Sequence, residues 1–111
     1  LFGASTGAAA ALHAAADRAE DISAVVSRGG RPDLAMDVLD RVTAPTLLIV
    51  GGFDEPVTAM NQAALVKLHS IKRLEIVAGA THLFEEPGTL DQVVSLAVQW
   101  FSQYLGQRSA A

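Results

Sequence analysis

Three short apolar runs in this chain stop at glycine-bearing turns. They are Ile22 to Ser27 (ISAVVS) before Arg28-Gly29-Gly30, Pro45 to Val50 (PTLLIV) before Gly51-Gly52, and Arg73 to Val77 (RLEIV) before Ala78-Gly79. Runs of this length, rich in β-branched residues and closed by glycine, read as strands, and their near-continuous apolar character places them inside a sheet covered on both faces. The segments between them have helical spacing instead: Leu34, Val38 and Leu39 within Pro32 to Val42, and Met60, Ala64, Leu65 and Leu68 within Val57 to His69. An alanine-rich helix is expected from about Ser5 to Arg18, after a strand remnant at Leu1-Phe2. A last helix is expected from about Thr89 to Leu105, opened by a Thr89/Gln92 capping box and striped by Val93, Leu96, Ala97, Trp100, Phe101 and Tyr104. Strands joined through helices form right-handed crossovers and a parallel sheet, so the expected fold is three-layer α/β with helices on both faces: three full parallel strands and a fragment of a fourth.

The 111 residues suffice for one small domain, residues 1–111, with one core. Half of them are hydrophobic and 18% are charged, which fits a folded chain and argues against a disordered one. The net charge of −4 comes with no basic cluster, so nothing invites a nucleic acid. Without cysteine there is neither a disulfide framework nor a thiolate metal site, which leans the chain toward the cytoplasm. Three scattered histidines make no metal site either. The longest apolar runs are about ten residues, too short to span a bilayer, and no signal peptide is visible. The chain opens at Leu1, inside a strand-to-turn junction, and is expected to be a piece of a longer parent or a trimmed one.

In parallel sheets the loops after the strands' carboxyl ends gather on one edge, and that edge holds the site. The residues to inspect are therefore Ser5, Arg28, Asp54 and His82. A serine hydroxyl is a poor nucleophile at neutral pH. It needs a neutral imidazole to take its proton and a carboxylate to orient that imidazole. Gly3-Ala4-Ser5-Thr6-Gly7 spells Gly-x-Ser-x-Gly, whose glycines permit a tight corner and a close approach of helix to strand. Thr6 would offer its backbone N–H at a helix N-terminus, where a developing oxyanion is favoured.

Each residue also has a plainer reading. Ser5 could be a helix N-cap, and Asp54 a turn residue with Glu55 as its local rival. His82 has two competitors. His13 lies eight residues past Ser5 on the same helix, about 12 Å along its axis, out of reach. His69 is at a helix C-terminus, where histidine serves the dipole. Arg28 could meet a substrate carboxylate or pair with an acid near Glu85 and Glu86, which themselves suit the start of the last helix.

The chain resembles the C-terminal half of an α/β-hydrolase, of the dienelactone hydrolase-like group. GASTG, TAPTLLIVGGFDEPV and GATHLFEEPG ahead of the amphipathic last helix carry the resemblance, which covers nearly all of the chain. It implies Ser5 as nucleophile, Asp54 as acid and His82 as base, in the chain order of that fold. Dienelactone hydrolases proper carry cysteine where this chain has serine, which favours a plain ester over a lactone. The resemblance also places the loop that supplies a second oxyanion N–H upstream of Leu1.

The expected activity is hydrolysis of small carboxylic esters through an acyl-serine, with no cofactor. The alternative is a catalytically silent module for folding or assembly. A nucleotide-binding domain is weaker, because no Gly-x-Gly-x-x-Gly follows a strand. If the strand at Leu1-Phe2 is a stub, ISAVVS is an open edge and the Ala8 to Ala16 helix is uncovered, so a homodimer or larger homo-oligomer is expected.

Overall fold

The computed structural model describes residues 1–110. Four strands, β1 (Phe2–Ala4), β2 (Val25–Arg28), β3 (Thr46–Gly51) and β4 (Lys72–Val77), form one parallel sheet in the order β1-β2-β3-β4. Three α-helices join or follow them: α1 (Thr6–Asp17), α2 (Glu55–Lys67) and α3 (Thr89–Ala110). Register is continuous across the sheet, with Ala4 beside Arg28 and Arg28 beside Ile49, so the strands end together at one edge.

Alternation along the central strands divides the core into two layers. Val25 and Leu48 face α1 and α2, packing with Leu12, Ala15, Leu39 and Leu68. Val26, Leu47 and Ile49 face α3, packing with Val93, Ala97 and Trp100. Each fully buried Leu or Ile contributes roughly 1.5–3 kcal/mol of transfer free energy. The small side chains of α1 let it lie close to the sheet. At Gly3 the approach is so tight that a Cβ would stand 2.4 Å from the Gly7 carbonyl oxygen. Trp100 adds a directional tie, its indole N–H donating to the Pro45 carbonyl at 3.1 Å.

Several expectations change. Residues 32–42 do not form one helix but two 3₁₀ turns, Pro32–Ala35 and Leu39–Arg41. A helix this short is marginal on its own, and burial of Pro32, Ala35, Val38, Leu39 and Val42 against α1 and α2 sets its path instead. The Thr89/Gln92 capping box is absent as well. Thr89 is the first helical residue, its hydroxyl donates to the Glu86 carbonyl at 2.8 Å, and the Gln92 N–H goes to the Gly88 carbonyl.

The open-edge expectation also moves. β1 pairs along β2, and the Val26 N–H reaches the Leu1 carbonyl at 2.8 Å, so ISAVVS is interior. α1 is covered too, with Ala8, Ala9, Ala11, Leu12, Ala15 and Ala16 buried. The two edges are β1 and β4. β4 carries Lys72, Arg73 and Glu75, charges that discourage strand pairing, whereas β1 is Phe-Gly-Ala with Phe2 half exposed. Beside β1 a largely apolar groove of about 370 Å³ runs along α3, its lining including Phe2, Arg28, Leu90, Val94, Val98 and Phe101. Among the described residues no helix is long and apolar enough to cross a membrane.

Candidate active site

Ser5 stands between β1 and α1 with φ 50° and ψ −123°, a backbone conformation that an L-residue adopts only at a cost of about 1–3 kcal/mol. The turn is pinned from one side. The Ser5 N–H donates to the Arg28 carbonyl at 3.2 Å, and the Ser5 carbonyl accepts from the N–H groups of Ala8 and Arg31, both at 3.1 Å. Although Ser5 occupies the N-cap position, its side chain makes no capping hydrogen bond. The hydroxyl instead lies 2.5 Å from His82 Nε2. The N-cap reading of Ser5 is therefore true of its position and not of its side chain.

Asp54 repeats the pattern. It is the N-cap residue of α2 without a side-chain cap, and its carboxylate lies 2.7 Å from His82 Nδ1. An ionised carboxylate only accepts hydrogen bonds, so Nδ1 carries the proton, Nε2 is left as an acceptor, and the Ser5 hydroxyl donates to it. The Asp54 side chain is 14% exposed and that of His82 38%, so the carboxylate is sheltered while the ring stays open to solvent. Glu55, the local rival, is exposed in the first turn of α2.

Three backbone devices hold the ring. Gly51 passes so close beneath the His82 loop that a Cβ there would meet the Ala80 carbonyl oxygen at 2.4 Å. The Phe53 N–H donates to that same oxygen at 2.9 Å. Gly29, at φ +53°, lies against the imidazole, where a Cβ would stand 3.3 Å from two ring atoms. The loop carrying Gly29 is fastened by fully buried Asn61, which donates to the Gly30 carbonyl at 3.1 Å and the Val57 carbonyl at 2.8 Å. Asn61 is not among the residues expected from sequence. Its signal was a lone amide at the buried spacing of an otherwise apolar helix face.

The structure brings Ser5, Asp54 and His82 together and leaves the other histidines elsewhere. His13 contacts the Leu34 carbonyl at 3.2 Å, and His69 is exposed beyond the end of α2. Thr6 opens α1, so its N–H has no partner within the helix and stands next to the Ser5 hydroxyl in the chain. Gly7 has no steric duty: a Cβ there would meet nothing within 4 Å, so of the two motif glycines only Gly3 is required by packing.

Arg28 does not pair with Glu85 or Glu86. Its guanidinium lies over the Phe84 ring, 5.6 Å from the centroid, and its Nε is buried without a hydrogen-bond partner. Glu86 is not merely a complement to the α3 dipole either. It accepts the Thr81 N–H at 3.0 Å and the Thr81 hydroxyl at 2.7 Å. These bonds, the backbone one foremost, hold its carboxyl below the ordinary glutamate value.

Ser5 follows β1, and Asp54 and His82 follow β3 and β4 along the same edge of the sheet. Dienelactone hydrolase from Anabaena variabilis superposes with a TM-score of 0.92 and 63% identity, over 93% of this chain and 48% of that one. In fold and in sequence the chain is similar to about half of that dienelactone hydrolase. The esterase domain of a Rhodothermus marinus protein matches with a TM-score of 0.82 at 18% identity, over 94% of this chain and 60% of that one, a likeness of fold alone. Among curated proteins, two from strains of Mycobacterium tuberculosis are 62% identical over 104 residues and carry the name "Putative phosphoribosyl transferase". The match spans 94% of this chain but 24% of those proteins. No protein-family model matches the chain.

Proposed function

We propose that this dienelactone-hydrolase-like chain hydrolyses small carboxylic esters through an acyl-Ser5 intermediate. The observation that carries the reading is the unbroken hydrogen-bond relay from the Ser5 hydroxyl through His82 to Asp54, set on a strained turn. In the first step His82 Nε2 takes the Ser5 proton as the hydroxyl oxygen attacks the ester carbonyl, and the carbonyl electrons move to oxygen. Asp54 stabilises the imidazolium that results. Collapse of the tetrahedral adduct expels the alcohol, which leaves with the proton from His82. Water then enters, His82 deprotonates it, and the same steps release the acid and restore Ser5.

The Thr6 N–H is the oxyanion donor this chain supplies. Loss of one such donor lowers turnover by roughly 10² to 10³. Arg28, at the carboxyl end of β2 with its guanidinium over the Phe84 ring, is the residue we assign to an anionic group on the substrate. The transferase name borne by the Mycobacterium tuberculosis proteins describes chains of which this match is 24%, and the relay favours acyl transfer here.

Incubation with a fluorophosphonate followed by peptide mass spectrometry tests the reading. Covalent modification of Ser5, blocked by prior denaturation, is expected. An unmodified Ser5 in a folded chain overturns the reading and leaves the silent-module alternative.

The uncharged β1 edge and the apolar groove beside it make a second copy of this chain the partner we propose. Two β1 strands meeting across a two-fold axis would extend the sheet and cover Phe2, Leu90 and Val94. Sedimentation over a wide concentration range is expected to show association that weakens on dilution. A monomer throughout would exclude it.

A further inference from the structure

The loop that presents His82 leaves β4 at Val77 and returns to the chain's main body at α3. Within it the Phe84 N–H donates to the Thr81 carbonyl at 3.1 Å, and Phe84, at φ +55°, drops its ring into the core at 2% exposure. The first of these contacts holds Thr81, the residue before His82, by its carbonyl. Both donors of Thr81, the backbone N–H and the hydroxyl, converge on the two oxygens of the Glu86 carboxylate. Glu86 is itself anchored, because its carbonyl accepts the hydroxyl and the N–H of Thr89, a buried residue in the first turn of α3. A continuous path of hydrogen bonds thus runs from α3 through Glu86 to the residue immediately before His82.

We propose that Glu86 is a positioning residue for His82: by gripping Thr81 at both donors it fixes the backbone from which the imidazole reaches between Ser5 and Asp54. A charged acceptor suits this task, since charge-assisted hydrogen bonds are shorter and stronger than neutral ones. The two-point grip also removes rotation that a single bond would leave. Glu86 bonds neither the Ser5 hydroxyl nor the His82 ring, and acts only through Thr81. The proposal rests on the reading of Ser5, Asp54 and His82 as a working triad for its effect on rate, and on geometry alone for its effect on the ring.

Two readouts separate these. The first is the low-field proton NMR signal of the His82 Nδ1–H held by Asp54, which needs no turnover. The second is the rate at which a fluorophosphonate modifies Ser5, with kcat and KM for a p-nitrophenyl ester. Glu86→Ala is expected to broaden or abolish the low-field signal. It should slow Ser5 modification and kcat about tenfold while KM stays within about twofold, as a small misplacement of a catalytic group does. Glu86→Gln can still accept the Thr81 N–H and donate to its hydroxyl, and is expected to restore both readouts to within about threefold of the wild-type chain. Thr81→Val, which keeps the N–H and removes the hydroxyl, should fall between the two. An unchanged low-field signal in Glu86→Ala overturns the proposal, as does failure of Glu86→Gln to recover in a chain whose melting temperature is unchanged. If the wild-type chain shows the signal and the Glu86→Ala loss but no modification of Ser5, the positioning role stands and the hydrolase reading falls.

Discussion

Ser5→Ala and His82→Ala are each expected to lower ester hydrolysis by roughly 10³-fold or more, to a rate indistinguishable from the uncatalysed reaction. The reason is the relay itself. Without the Ser5 hydroxyl there is no nucleophile at 2.5 Å from Nε2, and without the His82 ring nothing takes its proton. The two effects should not add, since both variants disable one unit. Asp54→Asn is expected to lose a smaller or similar factor. An asparagine can donate to Nδ1 and so favour the tautomer whose Nε2 carries the proton, which makes His82 a donor where an acceptor is needed. Asparagine is also a good N-cap residue, so α2 should keep its start and the loss can be assigned to chemistry. His13→Ala and His69→Ala should change the rate by less than about twofold, a range set by ordinary surface substitutions. Hydrolysis of a p-nitrophenyl ester, followed for all five variants with circular dichroism as a check on folding, decides the matter. A His69→Ala loss equal to that of His82→Ala would overturn the assignment of the base.

Gly51→Ala should be the most damaging of the glycine substitutions around His82. Its Cβ would stand 2.4 Å from the Ala80 carbonyl oxygen, 2.9 Å from the Ala80 carbonyl carbon and 2.9 Å from the Thr81 carbonyl oxygen. All three are backbone atoms, so no side-chain rotation relieves the clash. Either β3 shifts in a fully buried sheet position or the His82 loop lifts, and overpacking of this kind costs about 1–3 kcal/mol. The loop is the softer of the two, and a displacement of about 1 Å at a catalytic group is enough to lower turnover about 10²-fold. Urea denaturation and ester hydrolysis measured together should show both losses. Gly7→Ala is the informative contrast: nothing lies within 4 Å of the new methyl, Gly7 is helical, and replacing a helical glycine by alanine stabilises by roughly 0.5–1 kcal/mol. Equal stability of the Gly51→Ala variant and the wild-type chain would contradict the packing argument.

Much of this molecule was legible before any coordinates. PTLLIV, RLEIV and ISAVVS announced strands because continuous apolar runs closed by glycine have few other uses, and helical spacing between them forced parallel pairing. The edge that holds Ser5, Asp54 and His82 followed from the same topology, since each lies just past a strand's carboxyl end. Local patterns of this kind survive because they are properties of neighbouring residues. What they could not supply was anything that depends on which distant groups meet. The span 32–42 carries helical spacing, yet packing against α1 draws it into two short turns. Thr89 and Gln92 have the spacing of a capping box, but Glu86 competes for the Thr89 hydroxyl. Ser5 and Asp54 hold N-cap positions, and only the arrival of His82 from a third loop diverts both side chains to it. Sequence left Arg28 open to a substrate carboxylate or to a nearby acid, whereas in the fold Thr81 takes Glu86 and the Arg28 guanidinium lies over the Phe84 ring. Side chains that can satisfy more than one partner are assigned by the three-dimensional competition among those partners, and that competition is not written in sequence spacing.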